Sequence, residues 1–341
     1  MQNIEKKDTN NDATSIHEPV LLQEVVETLL SPLGGGHFLD CEARRGNWRS
    51  QKGESTDEDS YPWYLDGTLG GGGLMKEIAK ALKGKINIIG LDQDEKAIER
   101  AERSFKGIQI GGAKLILECE NFRNLDEVLV RNGLHETEKI DMMLLDLGFS
   151  SDELEGSGRG FSFQKDEPLL MTMGEAGRHP FTARDILNNW TEEDIANVIY
   201  GYGEERFARR IARNVVSYRS KKQIGTTFEL VEIVKMSVPT FYKRGKLNPA
   251  TKTFQALRIA TNDELKALKE GLKKGFDALR NGGKMAVISF HSLEDRIVKE
   301  FYKEKGTIGA KIITKKPITA SPQEIAENPR SRSAKLRIIQ K

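Results

Sequence analysis

The chain has 341 residues, enough for one large domain or two ordinary ones, and 38% hydrophobic with 30% charged residues is a globular composition with a core. Its two cysteines, Cys41 and Cys119, argue against a disulfide framework and fit a reducing compartment. The polar start "MQNIEKKDTNNDATS" has no apolar signal-peptide core, and no apolar run approaches a membrane span. The expectation is a soluble, cytoplasmic protein without a membrane partner. The net charge of +2 hides an uneven distribution: residues 296–341 hold 12 Lys+Arg against 4 Asp+Glu. The stretch "ERFARRIARNVVSYRSKK" holds seven basic residues and one acid. Such patches suit a polyanionic partner, and equally an ordinary solvated helix face.

In chain order, residues 1–16 read as a disordered tail. "PVLLQEVVETLL" has helical spacing, with Leu21, Leu22, Val25, Val26 and Leu29 on one face. Residues 34–60 are polar, charged and aperiodic and read as an exposed insertion. Strands and helices then alternate: strand "WYLD", helix "GLMKEIAKALKG", strand "INIIGLD", helix "QDEKAIERAERSF", strand "KLILECE", helix "NLDEVLVRNG" and strand "IDMMLLDLG". The last is apolar throughout, as a strand buried on both faces should be. This rhythm predicts an α/β fold with a doubly wound, mostly parallel sheet. It stops over 151–250, where a Gly- and Phe-rich loop precedes helical segments near 182–219 and 226–239. It resumes with one long helix, "FQALRIATNDELKALKEGLKKGFDAL", a strand "KMAVISF", a helix "SLEDRIVKEFYKE" and a last strand "AKLRIIQK". The organisation is one α/β domain, 17–150 and 251–341, interrupted by a mostly helical insert.

The stretch "YLDGTLGGGG" strips side chains from the point where the first such strand hands over to a helix. Ligands of parallel sheets bind at strand carboxyl ends where strand order reverses, and glycine lets a ligand approach bare backbone. About 20 residues beyond Gly72, Asp92 closes the next strand, where a carboxylate can accept both ribose hydroxyls of a nucleoside. NAD, FAD and S-adenosylmethionine all use this geometry. Two features favour S-adenosylmethionine: Asp66 before the glycines, facing a methionine amino end, and Asp146 at the tip of "LLDLG", where a transferable methyl would point. No His/Cys/acid spacing resembles a metal site.

Seven stretches, "HEPVLLQEVVETL", "DLGFSSDELE", "GRGFSF", "YGEERFARRIA", "NPATKTFQALRIATNDEL", "VISFHSLEDRIVK" and "NPRSRSAKLR", occur in this order. Together they resemble the bacterial 16S rRNA (cytosine-N4) methyltransferase family over about residues 17–341. The resemblance implies a class I, Rossmann-like S-adenosylmethionine domain with an inserted helical substrate domain. It implies methylation of the exocyclic N4 of a cytidine in the decoding region of 16S rRNA, within the small ribosomal subunit. By motif, cofactor contacts fall on Gly72, Gly73 and Leu74, on Asp92 for the ribose, on Phe122 beside the adenine, and on Asp146 and Glu153; Gly70 of the same glycine run is also expected to contact the cofactor. Three places depart from the family pattern. Leu74 replaces a usual His, Glu153 a usual Gln, and "PLLMTMG" a usual "PLDMRMD", so that Leu170, Thr172 and Gly174 stand where charges are expected. The alternatives are another nucleic-acid amino-methyltransferase or a non-catalytic rRNA-binding homologue.

Methyl transfer from a sulfonium is an in-line displacement that asks mainly for orientation and desolvation. The delocalised lone pair of a cytosine amine needs an acceptor on its N–H, and Asp146 is the expected catalytic group. Ser150 and Ser151 either shape the pocket or cap a turn. Phe149, Phe161 and Phe163 either stack on an unstacked base or pack in a core. Phosphate contacts are expected from Arg159, from Arg206, Arg209, Arg210 and Arg213 at helical spacing, and from Arg330 and Arg332 beside Lys335 and Arg337. His291, after a strand, is expected to have a structural or RNA-contacting role.

Overall fold

The structure is a computed structural model and describes residues 19–31, 61–106, 112–134, 140–148, 157–174, 179–245 and 247–341. The expected tail at 1–16 and the insertion at 34–60 lie outside the described residues, as do Phe149, Ser150, Ser151 and Glu153.

After helix α1 (Leu22–Leu30), the chain alternates β1 (Trp63–Asp66), α2 (Gly73–Ala81), β2 (Asn87–Asp92), α3 (Glu95–Phe105), β3 (Leu115–Cys119), α4 (Leu125–Arg131) and β4 (Ile140–Asp146). Each helix has one apolar face for the sheet. In α3 the buried residues Ala97, Ile98, Ala101 and Phe105 recur at three- and four-residue spacing, and the Asp94 side chain caps it by accepting from Lys96 N at 3.2 Å. The sheet order is β3-β2-β1-β4-β5-β7-β6, where β5 is Leu279–Ser289, β6 Lys311–Ile312 and β7 Lys335–Gln340. The five strands from β3 to β5 are parallel; β7 joins β5 antiparallel, and β6 pairs antiparallel with β7. The predicted doubly wound, mostly parallel sheet is therefore present. Strand order reverses between β1 and β4, which makes their carboxyl ends the crevice of the sheet.

Between β4 and β5 run α5 (Ala183–Asn189), α6 (Glu192–Gly203), α7 (Ala208–Arg219), α8 (Thr227–Ser237), α9 (Thr240–Lys243), α10 (Thr251–Asn262) and α11 (Glu264–Ala278). The first four bury their apolar faces in a core of their own, with Ile186, Ile199, Ile211, Val215 and Leu230 at its centre, and Phe254 and Leu257 of α10 join it. After β5 come α12 (Ser292–Thr307) and α13 (Pro322–Glu327).

Two expectations are corrected. The single long helix predicted across 254–279 is two, α10 and α11, broken at Asp263 with φ of 51°. The apolar spacing runs through the break, so the cause is tertiary. The buried Asn262 amide donates to Met171 O at 2.7 Å and accepts from Met173 N at 2.7 Å, tying the end of α10 to the 171–173 segment. The C-terminal basic cluster, expected to contact phosphate, is divided, since two of its four cations pair with an acid of the protein itself. Lys335 and Arg337 lie in β7; Arg337 is only 7% exposed and its Nε donates to Asp295 Oδ1 at 2.6 Å, with Lys335 Nζ 3.4 Å from Asp295 Oδ2.

Candidate functional site

The glycine run is pinned at the reversal point. Gly67 N donates to Leu144 O of β4 at 3.0 Å and Leu69 N to Leu91 O of β2 at 2.8 Å, so the loop spans the tips of three strands. Gly70 and Gly72 take φ of 53° and 74°, left-handed values that cost other residues strain. A side chain at Gly70 or Gly71 would meet nothing within 4 Å, so their bare backbone borders open space. Gly72 differs: a Cβ there would come 3.3 Å from Ala101 Cβ and Ser104 Oγ of α3, so this glycine permits close helix packing. Gly73 opens α2, and Leu74 turns into the core beside Met75 and Ile78. Asp92, closing β2, accepts from Gly70 N at 2.8 Å and from Asp94 N at 2.9 Å, one amide on each oxygen, and each oxygen retains a lone pair. Burial raises its pKa above the usual carboxylate range.

Two further carboxyls face each other across the reversal. Asp66, at the tip of β1, accepts from Tyr64 Oη at 3.1 Å and from Thr68 N at 3.1 Å. Asp146, at the tip of β4, is half-buried, and its enclosed Oδ1 has no hydrogen-bond partner among the described residues. Burial is the largest cause that pushes Asp66 up to about 7, with Asp92 adding to it. Burial, then the charges of Asp66 and Glu294, push Asp146 up to about 8. Thr68 joins the two carboxyls: its amide holds Asp66, and its Oγ1 accepts from Asp146 N at 2.6 Å. Sequence reasoning missed Thr68 and Tyr64, since neither has a spacing signal.

Beside β4, strand β5 leads into Phe290 and His291. His291 is the N-cap of α12: Nδ1 accepts from Glu294 N at 3.4 Å, and Glu294 Oε2 accepts from Phe290 N at 2.9 Å and His291 N at 3.3 Å. Its Nε2 lies 3.2 Å from Glu294 Oε1. Burial pushes the Glu294 carboxyl up, but His291 and Arg258 outweigh it and hold it below the ordinary value. Among the described residues, Glu264, His291 and Glu294 form a group whose ligand atoms lie within 4.8 Å of one another, a juxtaposition no sequence spacing disclosed. Arg258 already engages both Glu264 oxygens at 2.9 Å, and Glu294 serves the helix cap, so the group reads as an ionic joint between α10, α11 and α12.

The remaining sequence-predicted residues separate into three places. Phe122 is buried under the loop, in the core that holds Leu65 and Leu145, and its ring fills the space beside Gly271. Arg159 turns inward: Nη1 donates to Thr172 O at 2.9 Å and Gly174 O at 2.7 Å, and Nη2 lies 3.8 Å from Asp94 Oδ2. Phe161 is buried in the helical core and Phe163 meets Phe254 edge-on with centroids 5.4 Å apart, so of their two readings packing holds. Arg206, Arg209, Arg210 and Arg213 are exposed; the last three lie on α7 and Arg206 on the turn before it. Arg332 is exposed and Arg330 half-buried in a short 3-10 turn, Pro329–Ser333.

The model of the MraW methylase family matches residues 14–341. The ribosomal RNA small subunit methyltransferase H of Kosmotoga olearia is 45% identical over 280 residues, covering 82% of this chain and 90% of the relative. That of Heliobacterium mobile is 40% identical over 341 residues, covering 95% and 98%. Among solved structures, a putative rRNA-methylase from Clostridium thermocellum is 10% identical, with a TM-score of 0.38 over 82% of this chain and 86% of that one. Carried by a match across almost its whole length, the chain belongs to the MraW methylase family.

Proposed function

We propose that the protein is an S-adenosylmethionine-dependent methyltransferase acting on the exocyclic N4 of a cytidine in the 16S rRNA of the small ribosomal subunit, in the cytoplasm. Family membership supports the reaction class. The observation that carries the site assignment is the enclosed Oδ1 of Asp146, without a hydrogen-bond partner among the described residues, beside side-chain-free backbone at the reversal of the sheet.

The residues fit the cofactor. Burial first, and then the like charges of Asp66, Asp92 and Glu294, raise the carboxyls of Asp66 and Asp146. A ligand carrying a sulfonium and an ammonium is the complement that these like charges lack, and its arrival would return both carboxyls to the ionised form. Asp66 would hold the amino end, the backbone at Gly70 and Gly71 would border the ligand, and Asp92 would take the ribose hydroxyls. Bound S-adenosylmethionine supplies an already activated methyl group. The Asp146 carboxylate would accept an N4–H of the cytidine, which localises the nitrogen lone pair, and would be the first station for the proton that N4 gives up. Glu153 and the loop around it, outside the described residues, retain the contact role the family motif implies. The exposed arginines Arg206, Arg209, Arg210 and Arg213 contribute phosphate contacts, with Arg330 and Arg332 as a second basic position.

Tritiated methyl transfer from S-adenosylmethionine tests this on unmodified small subunits, free rRNA and duplex DNA. Label confined to the small subunit supports the reading. Label on DNA, or none on any substrate, rejects it.

A further inference from the structure

The motif "NPATKTFQ" has no role in the site described above. In the structure, its first residues form one wall of a cavity of about 460 Å3 on the helical part of the molecule. Arg206, Phe241, Tyr242 and Leu247 line it as well. The Arg206 guanidinium lies over three rings at once: Phe207 at 4.9 Å, Tyr242 at 5.0 Å and Phe241 at 5.6 Å. Tyr242 is held in turn by its hydroxyl, which donates to the buried Glu205 at 2.6 Å. Phe241 and Leu247 stay 65% and 67% exposed, although nearby apolar side chains are in the core. The lining residues include Arg206 and Lys252 and no carboxylate.

An exposed ring, a guanidinium lying over aromatic rings and a second cation are the elements with which proteins hold unpaired nucleotides: a π-face for the base and positive charge for its phosphate. Arg209 and Arg210 continue the positive surface around a second hollow that shares Arg206. The cavity is also coupled to the catalytic end of the sheet. Lys252 Nζ donates to Glu204 O at 2.8 Å. The Glu204 carboxylate accepts from Ser292 Oγ at 2.8 Å and pairs with Arg296 at 3.0 Å, both on α12, whose cap is His291 at the end of β5. Register sets Ile288 of β5 opposite Asp146.

We infer that this cavity is a second substrate subsite, which takes an unpaired base of the same RNA strand on Phe241 with a neighbouring phosphate on Arg206 and Lys252. It rests on the reading that the substrate is rRNA, and makes its recognition a two-point contact: one nucleotide in the crevice, another held on the helical part. The test compares wild type, Phe241→Ala and Arg206→Gln for binding a fluorescent single-stranded oligoribonucleotide and an abasic strand of equal charge. S-adenosylmethionine affinity and thermal midpoint are measured alongside. Phe241 is exposed, so its truncation leaves the core whole.

Loss of one stacked base predicts that Phe241→Ala weakens the oligoribonucleotide about tenfold and the abasic strand hardly at all. Arg206→Gln should weaken both strands and lower the slope of log K against log salt by about 0.7, the value for one single-strand phosphate contact. Cofactor affinity stays at the wild-type value in both. Wild-type RNA affinity in Phe241→Ala, or equal binding of the two strands by wild type, overturns the subsite even where subunits are still methylated. A wild type that neither binds RNA nor methylates subunits overturns the rRNA reading and the subsite with it.

Discussion

Asp146 and Thr68 carry the account at the scale of single residues. An acceptor aimed at charge that develops in the transition state is typically worth a hundredfold or more in rate, so Asp146→Asn should lower kcat by about 100-fold with little change in RNA binding. The Asp146 carboxyl also sets a pH dependence. Its folded pKa of about 8 lies above the ordinary value, so the fold binds a proton that the unfolded chain releases. That contribution to stability is full below about pH 4 and is lost as pH rises toward 8. The thermal midpoint of the cofactor-free protein should therefore fall between pH 5 and pH 8 by more in wild type than in Asp146→Asn; parallel curves would contradict the burial of a protonated carboxyl. Thr68→Val removes the oxygen that accepts from Asp146 N while preserving shape. We expect kcat to fall about tenfold with the cofactor KM nearly unchanged, and Thr68→Ser to restore it, since misplacement of a reacting group costs rate rather than binding. Asp66, Asp92 and Asp146 were legible in the sequence because each ends an apolar run at a strand tip. Thr68 was not: its bond to Asp146 joins residues 78 positions apart and leaves no local trace.

Among the elements, those whose burial alone dictates their form were readable. Strand β4 carries an unbroken apolar run, residues 142–145, because both its faces are covered, and α3 shows its buried stripe in its spacing. The junction of α10 and α11 was not readable. Helical spacing continues across Asn262 and Asp263, and only the bonds from Asn262 to Met171 and Met173 explain why the helix stops. Asn262→Ala would leave the Met173 amide and the Met171 carbonyl buried without partners. Calorimetry or denaturant unfolding should show a loss of about 1–3 kcal/mol, the cost of an unsatisfied buried polar group. A change within error would mean that these groups find other partners. The same limit explains Arg159: its charge and its neighbouring phenylalanines suggest a phosphate contact, whereas the structure folds it onto the Thr172 and Gly174 carbonyls. The left-handed Gly174, φ 70°, leaves no room for a side chain against Gln93 O, so the departure from the expected acid there accompanies close packing of this segment on the end of β2.

Over the whole molecule, a near-neutral net charge coexists with segregated basic surface, and segregation is what a polyanion senses. Helix α7 has Ile211, Ala212 and Val215 inside and Arg209, Arg210 and Arg213 outside. Replacing Arg209 and Arg210 by Glu should weaken subunit binding at low salt, with the difference from wild type shrinking as salt rises. Equal methylation of subunits by the two proteins at every salt concentration would remove α7 from the interface. The C-terminal charges illustrate what composition does not resolve: Arg337 counts in the basic excess but pairs with Asp295 between β7 and α12, whereas Arg332 faces solvent. The measurement that bears most directly on the account is mass spectrometry of nucleosides from 16S rRNA, after incubation of unmodified small subunits with the protein and S-adenosylmethionine. N4-methylcytidine is expected in the wild-type reaction and should be nearly absent with Asp146→Asn. A product methylated at any other base position, or equal yields from the two proteins, would contradict it.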